Sequence, residues 1–235
     1  MKIIVAPDSY KNSLTSPQVA AFIAKGIASV IPESEIVQVP VADGGEGTVH
    51  AIINATNGNI REISIHDPLG REVSSFYGMS NETAVIEMAA ASGIEMILPD
   101  EKDPLKSSTF GTGQMIRHAL DHGARKIIIG LGGSATNDCG IGMLRALGLR
   151  CLDMNGIEIN PNSSEFVKVS RLDATALHEG VSRCEITIAS DVNNPLTGPQ
   201  GATMIYGPQK GADEEKLQIL EKNLQWMGSL LEKET

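Results

Sequence analysis

The sequence predicts an α/β protein, and three observations carry that prediction. Short apolar runs alternate with stretches of helical periodicity, and several of those runs empty into glycine- and carboxylate-rich loops. From about residue 60 onward, consecutive strand-like runs replace the alternation. Residues 2–6 read as a buried parallel strand. Ser16-Pro17 then sets a capping hydroxyl ahead of a first-turn proline, and Val19, Phe22, Ile23, Ile27 and Val30 recur at helical spacing until Pro32. Residues 35–41 supply the next strand. Residues 46–55 form a helix with Val49, Ile52 and Ile53 inward, ended near Gly58. A β-α-β-α order of this kind predicts a parallel sheet.

Residues 60–65, 72–79 and 83–88 are three strand-like runs joined by short turns, around Asp67-Pro68-Leu69-Gly70 and Ser80-Asn81-Glu82. Consecutive short strands indicate hairpins and hence a mixed sheet. A domain boundary is expected near Asp67, dividing residues 1–67 from residues 68–235. Helical spacing returns over residues 109–122, followed by a strand at Lys126–Gly130 and a helix over residues 138–147. Residues 155–170 are polar and irregular, Glu185–Ala189 is a further strand, and residues 216–231 form an amphipathic helix with Leu217, Leu220, Leu224, Met227 and Leu231 on one stripe.

Composition narrows the function. The formal net charge of −10 argues against a nucleic-acid partner, which calls for a basic stripe. Only 3% of residues are aromatic, so Ile, Val, Leu, Ala and Met must pack the core. Cys139, Cys151 and Cys184 are odd in number and form no CxxC pair, which fits a reducing compartment and no zinc site. No apolar run approaches the length of a membrane span, and residues 1–6 lack the apolar core of a leader peptide. The expectation is a cytoplasmic protein with small-molecule partners; a homo-oligomer is compatible with the sequence.

Four loops carry the chemistry, each at the carboxyl end of a strand, where α/β sheets bind ligands. They are Pro7-Asp8-Ser9-Tyr10-Lys11, Asp43-Gly44-Gly45-Glu46-Gly47-Thr48, Gly132-Gly133-Ser134-Ala135-Thr136-Asn137-Asp138 and Ser190-Asp191-Val192-Asn193-Asn194-Pro195. Glycines let backbone amides approach an anion, Ser134 and Thr136 add hydroxyls, and Lys11 offers a point charge for a phosphoryl group. Asp43, Glu46 and Asp191 can hold a divalent metal or take a proton. Lys210 is either a second phosphate lysine or a turn residue, and Cys139 either a reactive thiol or a packing residue. The five histidines lack nucleophile or metal-ligand spacing, although His118 and His122 stand four apart. Gly130-x-Gly132-x-x-Ala135, with Asp153 about 20 residues on, also matches a dinucleotide fingerprint, leaving an NAD-dependent dehydrogenase as an alternative.

Taken together, Ala6-Pro7-Asp8-Ser9-Tyr10-Lys11, Pro40-Val41-Ala42-Asp43-Gly44-Gly45-Glu46-Gly47-Thr48 and Gly132-Gly133-Ser134-Ala135-Thr136-Asn137-Asp138 resemble the bacterial glycerate kinases of the first class. Thr109-Phe110-Gly111-Thr112-Gly113, Asp191-Val192-Asn193-Asn194-Pro195-Leu196 and Gln209-Lys210-Gly211-Ala212 extend the match along the whole chain. Tyr10, Asn12 and Cys139 depart from the pattern, standing where phenylalanine and two glycines are usual.

The resemblance implies two α/β domains. The first is a parallel flavodoxin/Rossmann-like sheet, and the second a mixed-sheet domain inserted into it. The family's chains continue past residue 235 and return to the first domain, so that sheet is expected to be incomplete here. The implied activity is ATP- and Mg²⁺-dependent phosphorylation of D-glycerate to 2-phosphoglycerate by in-line transfer. In this reading Lys11 and Asp191 are catalytic, and Asp191 and Asp43 bind metal. Asp8, Ser9, Asp43, Gly44, Gly45, Glu46, Gly132, Gly133, Ser134, Thr136, Asn137 and Asp138 hold substrate and phosphate. A non-catalytic protein that binds an anion or a nucleotide is the remaining alternative.

Overall fold

The computed structural model describes residues 1–10, 13–39, 41 and 44–234. The chain runs through β1 (Lys2–Val5), α1 (Ser16–Val30), β2 (Glu35–Gln38), α2 (Thr48–Thr56), β3 (Asn59–His66), β4 (Glu72–Ser80), β5 (Thr83–Glu87) and the one-turn α3 (Ala89–Ser92). It continues through α4 (Phe110–Asp121), β6 (Lys126–Gly130), α5 (Ile141–Ala146), β7 (Arg150–Leu152), β8 (Glu158–Ile159), β9 (Arg171–Asp173), β10 (Glu185–Ala189), α6 (Ala202–Tyr206) and α7 (Glu214–Glu234). Among the described residues no helix is long and apolar enough to cross a membrane.

β1 and β2 pair in parallel, with Lys2 opposite Glu35, as the opening β-α-β pattern predicts. A separate sheet of five strands has the order β10-β6-β5-β4-β3. Its β10, β6 and β5 are mutually parallel, whereas β4 pairs antiparallel with both β5 and β3. The sheet is therefore mixed, as the run of short strands indicated. The expected boundary near residue 67 falls in the turn between the paired strands β3 and β4.

Side-chain alternation on β5 decides which helix covers which face. Ala84 and Ile86 point into a cluster with Ile65, Tyr77, Met115, Ile116, Ala119, Ile127 and Ile129, where α4 seals one face. Val85 points the other way, onto Val49 and Ile53 of α2. Burying each such aliphatic side chain is worth about 1.5–3 kcal/mol, so these two helices fix the sheet. Glycine is required where α2 crosses β4: a Cβ on Gly78 would lie 2.3 Å from Ile53.

A third unit was not expected from sequence. β8-β7-β9 form a small antiparallel sheet, and Cys151, Phe166, Val169 and Leu172 pack against Met227 and Leu230 of α7. Residues 155–170, expected to be irregular, contain β8 and a 3-10 segment at Ser163–Lys168. The Trp226 indole N–H donates to the Val169 carbonyl at 2.9 Å, and Asn223 donates to the Ser163 carbonyl at 2.7 Å. α7 starts at Glu214 and ends at Glu234, slightly beyond both ends of its sequence stripe.

Candidate active site

The three parallel strands end on one rung. Glu87 of β5 pairs with Gly130 of β6, and Gly130 pairs with Ala189 of β10. By alternation Glu87 lies on the α2 face, as Val85 does. The segment from Gly44 to Val49 lies across this rung. A Cβ on Gly130 would sit 2.1 Å from the Gly44 carbonyl oxygen, and a Cβ on Gly44 would sit 2.6 Å from that of Ala189. The Gly132 amide donates to the Gly44 carbonyl at 3.4 Å, and the Leu131 amide to the Ala189 carbonyl at 3.3 Å. Backbones meet here with no room for side chains, which is why glycines crowd these positions.

Glu87 was not singled out by sequence. It is 3% exposed, and its Oε1 accepts the Val49 amide at 2.7 Å, capping the N-terminus of α2 from a neighbouring strand. Burial pushes its carboxyl pKa up, opposed by the amides of Val49 and Gly47 and reinforced by the nearby Glu46 charge. A folded-state pKa above the unfolded one makes this group stabilising in acid, with the benefit lost as pH rises through the folded value. Glu87→Ala, which strands the Val49 amide, is expected to cost about 1–3 kcal/mol in chemical denaturation at neutral pH. Glu87→Gln keeps an acceptor without a buried charge and is expected to cost less.

The loop after β6 divides into an exposed tip and a buried base. Leu131, Gly132 and Gly133 are exposed and Ser134 is half-buried, whereas Ala135, Thr136, Asn137 and Asp138 are buried. The tip is pinned on one side by the bonds from Ile94 N to Gly133 O, 2.8 Å, and from Ala135 N to Ser92 O, 2.8 Å. Among the described residues the Gly133 and Ser134 amides have no hydrogen-bond partner. The base is held by Asp138, whose Oδ2 accepts the Thr109 amide and hydroxyl, both at 2.8 Å, and the Gly142 amide at 3.2 Å. Its Oδ1 accepts the Gly140 amide at 3.2 Å. The Thr109 hydroxyl in turn accepts the Met143 amide at 2.9 Å. Burial pushes the Asp138 carboxyl pKa up, against those four donors. Asn137 meets Thr203 side chain to side chain, and its carbonyl accepts the Ser163 hydroxyl. The structure thus places Gly132, Gly133 and Ser134 at the surface, and Thr136, Asn137 and Asp138 beneath them.

The other expected residues fall around this rung. Asp191 is exposed at the carboxyl end of β10. Its loop is anchored by Ala189 and by Asn194, which donates to the Gln200 carbonyl at 2.8 Å and accepts the Tyr206 hydroxyl at 2.7 Å. Gly44 is buried, Gly45 half-buried, and Glu46 exposed. The helix expected from Glu46 begins at Thr48, because Gly47 at φ 93° takes the cap position. Asp8 is exposed and accepts the Ser9 amide at 2.6 Å. Lys11 and Asp43, like Asn12, Pro40 and Ala42, lie outside the described residues. The exits of β1 and β2 meet where the Val41 amide donates to the Pro7 carbonyl at 3.1 Å. Ser16, expected as a cap, is instead the first residue of α1; its buried hydroxyl lies 2.7 Å from the Pro7 carbonyl and 3.0 Å from that of Val41.

Two sequence alternatives are corrected. The glycine match at 130–135 is not followed directly by a helix, since α5 begins only at Ile141 after Gly140 at φ 70°. Asp153 closes the tight turn between β7 and β8, accepting the Asn155 and Ile157 amides, and it belongs to a different sheet. The dinucleotide geometry is therefore absent from this segment. Cys139 is not an activated thiol: burial, then the Asp138 charge, push its pKa to about 11. His118 and His122 stack at 3.9 Å, but no group of three His, Cys, Asp or Glu among the described residues could hold a metal ion.

Comparison with known proteins identifies relatives of the chain as a whole. The glycerate kinase of Bacillus subtilis strain 168 is 48% identical over 99% of this chain and 62% of its own length. The glycerate 2-kinase of Escherichia coli K12 is 47% identical over 99% of this chain and 62% of its own length. A crystal structure described as "putative glycerate kinase 2" from Salmonella typhimurium LT2 superposes with a TM-score of 0.91 at 46% identity, covering 99% of this chain and 63% of that one. The chain thus spans a little under two thirds of the relatives it matches. A family model, the glycerate kinase family, matches residues 3–235. The chain belongs to the glycerate kinase family.

Proposed function

We propose that the protein phosphorylates D-glycerate with ATP, giving 2-phosphoglycerate by direct in-line transfer. The observation that carries the reading is the shared rung Glu87–Gly130–Ala189, on which the 44–49 segment, the 131–134 tip and the Asp191 loop converge. Phosphoryl transfer needs charge neutralisation and an aligned hydroxyl more than covalent chemistry, and such a junction can provide both. In this reading the Gly133 and Ser134 amides and the Ser134 hydroxyl bind an anionic oxygen. Asp191 receives the proton of the attacking hydroxyl or faces the metal, and Lys11 stabilises the transferring charge.

Mg²⁺ bound with ATP supplies charge neutralisation at the β- and γ-phosphates. It needs only one or two carboxylates beside phosphate and water, so the exposed acids Asp191 and Glu46, with Asp43, fit that requirement without a closed protein cage. The domain organisation belongs to the same proposal: β1, α1 and β2 lie in a first α/β domain, and the five-stranded sheet and its helices in a second. We also place the activity in the cytoplasm, in keeping with three unpaired cysteines.

The decisive measurement is ADP release with D-glycerate and MgATP. It is made on this chain and on a form extended to the relatives' length. The extended form is expected to turn over, and its Asp191→Asn variant to lose at least about tenfold in kcat with an unchanged melting temperature. A folded extended form that binds MgATP without releasing ADP would identify a non-catalytic binding protein instead.

A further inference from the structure

We infer that Lys210 is a positioning residue, which locks the 132–136 loop from beneath and turns the Ser134 hydroxyl into a donor aimed at a bound oxyanion. The inference rests on the reading of the Gly133–Ser134 tip as an anion cradle, and adds a residue and a mechanism to it.

Lys210 closes the short 3-10 turn Pro208–Lys210 and is 8% exposed. The turn packs closely on the Lys102 backbone: Gly211 follows at φ 97°, and a Cβ there would meet the Lys102 carbonyl at 2.4 Å. The ammonium lies 2.8 Å from Ser134 Oγ and 2.6 Å from the Thr136 carbonyl. An ammonium has three hydrogens and no lone pair, so Ser134 Oγ must be the acceptor in this contact. The serine's own hydrogen is thereby directed away from Lys210. Above it lies the exposed tip, where the Gly133 and Ser134 amides have no partner among the described residues. Two amides and one hydroxyl then form a donor set for an oxyanion, backed by a largely buried cation.

The acidic group acting on Lys210 is Asp138, whose oxygens are taken up by the amides of Thr109, Gly140 and Gly142 and the Thr109 hydroxyl. Burial, opposed by the Asp138 charge, lowers the Lys210 pKa to about 8. Folding thus disfavours the charged form, and the sign follows. The cost is fully present below pH 8 and is relieved as pH rises from there toward the ordinary lysine value.

The test is an amide chemical-shift titration of this chain with sulfate, whose charge is constant across the relevant pH range. In wild type the Gly133 and Ser134 resonances should shift saturably. In Lys210→Met the apparent Kd should rise about tenfold or more, the size of a lost charge-assisted hydrogen bond. Parallel titrations with ADP and with D-glycerate assign the occupant: a loss confined to ADP indicates a nucleotide phosphate, and one confined to D-glycerate its carboxylate. Should Lys210→Met fail to fold, the wild type alone decides, because sulfate affinity must fall as pH passes through about 8. A flat profile overturns the inference, as does a folded Lys210→Met that binds within about twofold of wild type while the cradle reading survives. Wild-type resonances that do not respond at Gly133 and Ser134 remove the cradle itself.

Discussion

Asp138→Ala is expected to lower the unfolding free energy by about 3–5 kcal/mol, because it strands several buried donors at once. The wild-type carboxylate, 5% exposed, accepts the amides of Thr109, Gly140 and Gly142 and the hydroxyl of Thr109. Those donors belong to three pieces of chain: the start of α4, the turn after the glycine loop, and the first turn of α5. Alanine offers none of them an acceptor, and the space it leaves is walled by Gly142, where even a Cβ would lie 2.2 Å from Ser108 Oγ. In a chain of this size such a loss corresponds to a fall in melting temperature of about 10 °C. Asp138→Asn retains one acceptor oxygen but turns an amide toward donors, so it should recover only part of the loss. The measurement is urea unfolding of the three proteins. A cost below about 1 kcal/mol for the alanine variant would show that the junction is held by packing rather than by this carboxylate.

The sequence made some of this legible and hid the rest for a physical reason. Local signals read correctly: the apolar runs 126–130 and 185–189, their glycine- and acid-rich exits, and the hairpin around Asn81, which takes φ 51° as a turn asparagine can. Cys139, standing where the resembling family has glycine, adopts φ 53°, the left-handed conformation glycine tolerates best. What stayed hidden are partnerships over long chain distances. Glu87 caps a helix beginning 39 residues earlier in the chain, at Thr48. Lys210 lies 76 residues from Ser134, so its turn-like context gave no sign of a buried ammonium. Ser16 read as a cap because its neighbour is proline, yet its hydroxyl bridges the exits of β1 and β2 instead. Strands of two or three residues, such as β8 and β9, carry too little periodicity to be seen.

Gly130→Ala tests the convergence itself, and it is expected to reduce kcat/KM of the extended protein by about 100-fold while the fold persists. The added methyl would meet Gly44 O at 2.1 Å, Gly44 C at 2.9 Å and Gly44 Cα at 3.1 Å, all backbone atoms that no rotamer change can move. Gly44 cannot slide along the rung either, being at φ 94° with the Ala189 carbonyl against its other side. The 44–47 segment must therefore lift by about 1 Å to restore contact distance, and a displacement of that size at a reacting centre costs about two orders of magnitude in rate. The sheet has an easier time, because Ile127 and Ile129 keep their places under α4. Gly26→Ala is the matched control: nothing lies within 4 Å of its added methyl in α1, so it should be neutral or stabilising by up to about 1 kcal/mol. Steady-state kinetics and thermal melts of both variants separate the two effects. If Gly130→Ala kept full turnover, the segment bearing Glu46 would have no part in positioning substrate, and the shared rung would be a packing feature of the sheet alone.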